Sequence, residues 1–125
     1  MMSAEHRSVL VADDDVAIRR LVGLVLMRDG FEVEEAANGR DALDRLRRKS
    51  YDCMILDLMM DPGSGFEVLE TIERERPGRR FVVVASATSA RTIDQLDSDN
   101  VVAKIRKPFD IGELLRVVRK CCEDH

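Results

Sequence analysis

The sequence predicts an α/β fold: a doubly wound parallel sheet of five strands wrapped on both faces by five helices, a three-layer sandwich. Three observations carry that reading. Short apolar runs alternate with amphipathic stretches along all 125 residues. The runs are continuously apolar rather than alternating, as strands covered on both faces are. No linker, repeat or low-complexity segment interrupts the series, and the length suits one domain.

Taken in order, Val9-Leu10-Val11-Ala12 is a buried strand that stops at Asp13-Asp14-Asp15. Ile18, Leu21, Val22, Val25 and Leu26 then recur at steps of three and four, the buried stripe of a helix. Asp15 is placed to cap it, and Gly30 stands where its C-terminus wants a left-handed residue. Residues 31–36 alternate like an exposed edge strand, and Asn38-Gly39 is a turn signal before a second helix with Ala42, Leu43 and Leu46 on its apolar side. Cys53-Met54-Ile55-Leu56 is a third buried strand ending at Asp57. A loop over 58–65 leads to a helix with Phe66, Leu69 and Ile72 on one face, closed by Pro77-Gly78. The fourth strand, 81–85, ends at Ser86, and 91–99 is a weak helix with only Ile93 and Leu96 as anchors. The fifth strand, 101–105, runs into Lys107-Pro108, and the last helix buries Ile111, Leu114, Leu115, Val118 and Cys121. The domain is expected over residues 8–123, with 1–7 a short N-terminal extension.

Composition narrows the function. Hydrophobic residues make up 45% of the chain and charged residues 35%, enough apolar content for a core. Lys and Arg number 20 against 24 Asp and Glu, a net charge of −4, which argues against direct binding of nucleic acid. No stretch approaches the roughly 20 apolar residues of a membrane span. Residues 1–7 are polar and lack a signal-peptide pattern, so a cytoplasmic location without a membrane partner is expected. Cys53, Cys121 and Cys122 have no metal-ligand spacing and read as free thiols in a reducing compartment. The methionines at 54, 59 and 60 read as packing.

Parallel α/β sheets bind ligands outside the carboxyl ends of their strands. Asp13 and Asp14, Asp57, Ser86 and Lys107 all stand at those ends, so three carboxylates, a hydroxyl and an ammonium converge on one rim. In the flavodoxin-like strand order 2-1-3-4-5 the first and third strands are neighbours, and the carboxylates face each other. Two like charges about 4 Å apart repel by about 4 kcal/mol at an effective dielectric near 20. A hard divalent cation relieves this, and an all-oxygen site with carboxylates suits Mg²⁺. Lys107 and Ser86 are suited to phosphoryl oxygens, and an Asp can act as a covalent nucleophile.

The acidic pair Asp13-Asp14, Asp57 within Ile55-Leu56-Asp57-Leu58, Gly65, Ser86-Ala87 and Lys107-Pro108-Phe109 occur in that order. Together they resemble the receiver domain of bacterial two-component response regulators over almost the whole chain. The strand order 2-1-3-4-5 is that of the family's chemotaxis member and is carried over with the resemblance. The resemblance implies a phosphorylation-dependent switch in a two-component system or phosphorelay. Asp57 would take a phosphoryl group from a phosphohistidine on a sensor histidine kinase or histidine phosphotransfer protein. Asp14 would bind Mg²⁺ directly, Asp13 through water, and Asp57 and the backbone carbonyl of Met59 would complete the protein ligands. Ser86 and Lys107 would engage the phosphoryl group. The phosphorylated state would alter binding to an effector domain or downstream protein, with no turnover of an external substrate. The Lys107–Pro108 bond would be cis.

Three positions depart from the family pattern. Asp61 stands where a Pro is usual, and Pro62 follows it. Ser64 stands where Asp is common before the Gly. Lys104 occupies the usual place of the aromatic switch residue; its ammonium should stay on the solvent side, near an acidic residue of 97–99. Three rivals have specific objections. A flavin protein would meet the repulsion of Asp13-Asp14-Asp15 toward phosphate. An Mg²⁺-dependent aspartyl phosphatase would carry a second Asp two residues after the nucleophile, where Met59 stands. A phosphorylation-independent pseudo-receiver would not need the acidic pair, Asp57 and Lys107.

Overall fold

A computed structural model of the chain describes residues 7–123, so the N-terminal extension lies outside them except for Arg7. The apolar runs form strands β1 (Ser8–Ala12), β2 (Glu32–Ala36), β3 (Cys53–Leu56), β4 (Val82–Ser86) and β5 (Val101–Arg106). The amphipathic stretches form helices α1 (Val16–Arg28), α2 (Gly39–Arg48), α3 (Gly65–Glu75), α4 (Ala90–Asp94) and α5 (Ile111–Glu123). All pairings are parallel and the order is β2-β1-β3-β4-β5, as expected. The acidic strand β2 is an edge, which explains why its residues alternate and β1, β3 and β4 do not.

Successive side chains of a strand point to opposite faces. That rule divides the core in two. Leu10, Met54, Leu56, Val82 and Val84 pack with Ala42 and Leu46 of α2 and Val68, Leu69 and Ile72 of α3. Val9, Val11, Cys53, Ile55 and Val83 pack with Val22 and Leu26 of α1 and Leu114 and Val118 of α5. Caps set the helix starts. Asp15 Oδ1 accepts from the Ile18 amide at 3.1 Å, and Ser64 accepts from the Glu67 amide at 3.2 Å. Ser64 thereby does for α3 what an Asp would do. Gly30 ends α1 with φ of 96°, the left-handed residue expected there.

Several local expectations need correction. Asn38 is a helix cap, accepting from the Asp41 amide at 2.8 Å, rather than part of a free turn. Leu21 is 51% exposed and Phe66 37%. α1 is apolar nearly all round, so periodicity alone could not say that Val22 and Leu26 face the sheet. Ile111 and Leu115 are half-buried, and Cys122 joins Cys121 in the core. α4 spans five residues rather than reaching 99, because Asp97, Ser98 and Asp99 favour turns and supply no apolar anchor. Asn100, 1% exposed, begins the return to β5; its amide donates to the carbonyls of Arg76 at 2.8 Å and Arg79 at 2.7 Å. Lys107–Pro108 is cis, and so is Asp61–Pro62.

Candidate functional site

The sheet order places the carboxyl ends of β1 and β3 side by side, with Ala12 in register with Leu56. The next residue on each strand therefore brings Asp13 beside Asp57, and Asp57 N–H donates to the Ala12 carbonyl at 3.0 Å. Asp14 completes the group: one carboxylate oxygen from each of Asp13, Asp14 and Asp57 lies within 4.8 Å of the others. Asp13 and Asp57 are buried, at 5% and 4% exposure, while Asp14 is open to solvent.

Lys107, directly after β5, reaches across β4 to the cluster. Its ammonium lies 2.6 Å from Asp13 Oδ2 and 3.4 Å from Asp57 Oδ2. The remaining oxygens are held locally, Asp13 Oδ1 by the Asp15 amide at 2.9 Å and Asp57 Oδ1 by the Met59 amide at 3.1 Å. Burial raises the Asp13 carboxyl above its ordinary range, with the Lys107 hydrogen bond opposing it. Burial also works against the Lys107 ammonium, but the hydrogen bond and charge of Asp13, with Asp57 behind them, outweigh it and raise its pKa.

Ser86 is fully buried at the end of β4. Its hydroxyl oxygen accepts from the Thr88 amide at 3.3 Å, and its carbonyl accepts from the Lys107 amide at 2.9 Å. The structure thus ties Ser86 to Lys107 through backbone and leaves its side chain turned to the loop after β4. Met59 is 58% exposed and, with Asp14, Met60, Asp61 and Phe66, lines a recess of about 300 Å³ beside the cluster. Lys104 is on the solvent side, as expected, but its ammonium donates to the Leu96 carbonyl at 2.7 Å rather than to an acidic residue of 97–99.

Two further residues support the site: Gly65 of the motif, and Arg19, which the sequence does not single out. Arg19, whose side chain is only 12% exposed, donates to the Asp13 carbonyl and to Glu35 of β2, each at 2.9 Å. Nothing in the sequence separates it from its neighbour Arg20. Gly65 presses against the backbone of Asp57 and Leu58; an added Cβ would overlap the Asp57 carbonyl oxygen and lie 2.6 Å from Leu58 Cα. The loop between β3 and α3 also meets the start of α2, where the Gly39 amide donates to the Gly63 carbonyl at 2.8 Å.

The donor set fits a hard divalent cation. It is all oxygen, only two of its three carboxylates are paired with the Lys107 ammonium, and the same two are withdrawn from water. The family profile for the response regulator receiver domain matches residues 9–119. The chain belongs to that family. Receiver domains are signalling domains of two-component systems, and the flavin, phosphatase and pseudo-receiver readings are not favoured.

The receiver is 31% identical over 111 residues to the DNA-binding transcriptional regulator NtrC of Bradyrhizobium sp. (strain RP501 Parasponia), covering 89% of this chain and 23% of that protein. It is 29% identical over 111 residues to the transcriptional regulatory protein SrrA of Staphylococcus aureus, covering 87% and 45%. The chain therefore spans less than half the length of these curated relatives. Among solved structures, the Francisella response regulator 1452 receiver domain superposes with a TM-score of 0.87 at 26% identity, covering 95% of this chain and 98% of that one. The Thermotoga maritima response regulator TrrA, solved in complex with Mg(2+)-BeF, gives a TM-score of 0.82 at 30% identity, covering 92% and 98%.

Proposed function

We propose that this receiver, spanning residues 8–123, is phosphorylated on Asp57 by a phosphohistidine donor, a sensor histidine kinase or histidine phosphotransfer protein, in the cytoplasm. The observation that carries the reading is the gathering of Asp13, Asp14 and Asp57 at the end of the sheet, with Lys107 paired to Asp13 and Asp57. An Asp57 carboxylate oxygen attacks phosphorus, the phosphorus–nitrogen bond of the donor breaks, and the electron pair leaves with the imidazole. Mg²⁺, held by Asp13, Asp14, Asp57 and the backbone carbonyl of Met59, would supply positive charge to the phosphoryl oxygens.

The protein's own groups do the rest. The Met59 amide orients one Asp57 oxygen, and Lys107 exchanges its long contact with the other for a phosphoryl oxygen. Ser86 uses its oxygen to accept from Thr88, which leaves its proton to donate to the phosphoryl group. Chemistry ends with the aspartyl phosphate and its hydrolysis, so no external substrate is turned over. The phosphorylated state changes binding to an effector domain or downstream protein. The likeness to TrrA, solved with Mg(2+)-BeF, supports the metal.

The test is intact-mass measurement after incubation with acetyl phosphate or phosphoramidate. A single phosphoryl adduct is expected in Mg²⁺, absent in excess chelator and absent from Asp57→Asn. Labelling that survives either change overturns the assignment.

A further inference from the structure

Asp14 differs from the two acids beside it. Asp13 and Asp57 are each fixed by Lys107 and by a neighbouring amide, whereas among the described residues no hydrogen bond or ion pair engages the exposed Asp14 carboxylate. One of its oxygens nevertheless lies within 4.8 Å of an oxygen of each buried acid. Its place therefore comes from the backbone that carries it. That backbone is clamped at one residue. The Asp13 amide donates to the Ala36 carbonyl at 3.1 Å, and the Asp13 carbonyl accepts from Arg19 Nη1 at 2.9 Å. A peptide unit is planar, so the Asp13 carbonyl shares its plane with the nitrogen and Cα of Asp14, and holding that oxygen sets where Asp14 begins. Arg19 is itself held twice. Its Nε donates to Glu35 Oε1 on β2 at 2.9 Å, and its amide donates to the Asp15 carbonyl at 2.9 Å in the first turn of α1. The planar guanidinium thus spans a loop carbonyl and an edge-strand carboxylate at fixed separation. Arg20, next along the helix, is exposed and has no such partner among the described residues.

We propose that Arg19 is a positioning residue that sets the affinity of the site for Mg²⁺: by clamping the Asp13–Asp14 peptide to β2, it holds the otherwise untethered Asp14 carboxylate beside Asp13 and Asp57. The proposal rests on the metal reading above and adds the residue that tunes it. Without the clamp, Asp14 turns freely toward solvent, and a cation has to order it at an entropic cost. Removing a partner one step behind a metal ligand weakens metal binding by about 10–100-fold. Charge alone acts the other way. Arg19 brings a positive group toward a cation site, so if only its charge mattered, its removal would tighten binding. The sign of the change therefore separates positioning from repulsion.

The experiment is calorimetric titration of the 125-residue chain with magnesium chloride, under conditions where circular dichroism shows each variant folded. Binding is then read on the folded state, so a loss of stability alone does not move the dissociation constant. Arg19→Met is expected to raise that constant by about tenfold. Arg19→Lys keeps the charge but not the fork, and is expected to raise it by about threefold or more; it carries the test if Arg19→Met does not fold. Arg20→Met, which removes the same charge one residue away, should stay within about twofold of the wild type. Saturable wild-type binding that the Arg19 variants leave unchanged or tighten, or that Arg20→Met weakens equally, overturns this proposal alone. A wild-type titration without saturation overturns the metal reading itself, and this proposal with it.

Discussion

Lys107 is hydrogen-bonded to Asp13 at 2.6 Å, closer than to the carboxylate proposed to carry the phosphoryl group. Its side chain is 12% exposed, and its ammonium is the one cation that the described residues place in ion pairs with these two buried acids. Lys107→Gln leaves them uncompensated and is expected to lower unfolding stability by about 2–4 kcal/mol in chelator. Added Mg²⁺ should recover part of that loss by binding the folded state. Urea titrations with and without metal check both; equal losses under the two conditions would contradict the charge argument.

Glu34 of β2 links three partners: Lys49 at 2.9 Å, Tyr51 at 2.7 Å and Arg45 at 3.1 Å. The Lys49 and Tyr51 hydrogen bonds hold its carboxyl at about 2 against an ordinary 4.5, with burial opposing. The folded pKa is depressed, so this contribution is complete above about pH 4.5 and lost as pH falls toward 2. For Tyr51, burial first and then the hydrogen bond to Glu34 push its phenol up to about 12 from 10. Here the folded pKa is raised, and the contribution is complete below pH 10 and lost toward 12. Tyr51 is the only tyrosine and there is no tryptophan, so tyrosinate absorbance reads this group alone. A midpoint near 12 is expected, falling toward 10 in Glu34→Gln; a wild-type midpoint at the ordinary value would refute the coupling.

Gly65→Ala forces a methyl group onto the Asp57 carbonyl oxygen. Relief requires the backbone at the phosphoacceptor to shift, at a cost of about 1–3 kcal/mol. Both the urea midpoint and the rate of Asp57 labelling are expected to fall, whereas Gly78→Ala, which costs stability through its left-handed φ of 80° and meets no atom within 4 Å, should leave labelling unchanged. Labelling at the wild-type rate in Gly65→Ala would show that the loop adapts without moving Asp57.

Lys104 fastens β5 to the segment after α4 through the Leu96 carbonyl, at an exposed site. No aromatic stands there to change rotamer on phosphorylation, so the response is expected in the segment after Ser86 and in short α4, whose buried anchor is Ile93. Hydrogen exchange with and without a phosphoryl mimic should change most in residues 86–100, and Lys104→Met should speed exchange there in the unphosphorylated protein. A response concentrated in α1 or α2 would contradict this.

The rim was legible because it depends on chain order alone. In a parallel sheet each strand delivers its carboxyl end to the same side, so Asp13, Asp57, Ser86 and Lys107 could be placed from the runs preceding them. What could not be read depends on packing between distant segments. Leu21 and Val22 are equally apolar, and only contact with the sheet decides which is buried. Arg19 acquires its role by lying beside Glu35, and Asn100 by meeting two carbonyls of the α3–β4 turn. The solvent side of β5 was correct for Lys104, but a backbone carbonyl is as good an acceptor as a carboxylate and leaves no mark in the sequence.

The division of β3 between two cores makes the strand a counter as well as a support. Three residues separate Cys53 from Asp57, and each step changes face. Inserting one residue between Cys53 and Leu56 would either exchange the burial partners upstream of it or turn Asp57 away from Asp13, even if every inserted atom were apolar. Substitutions in β3 that preserve volume should therefore be tolerated far better than any change in its length. For this domain, the number of residues in the strand matters more to the site than the identity of its apolar side chains.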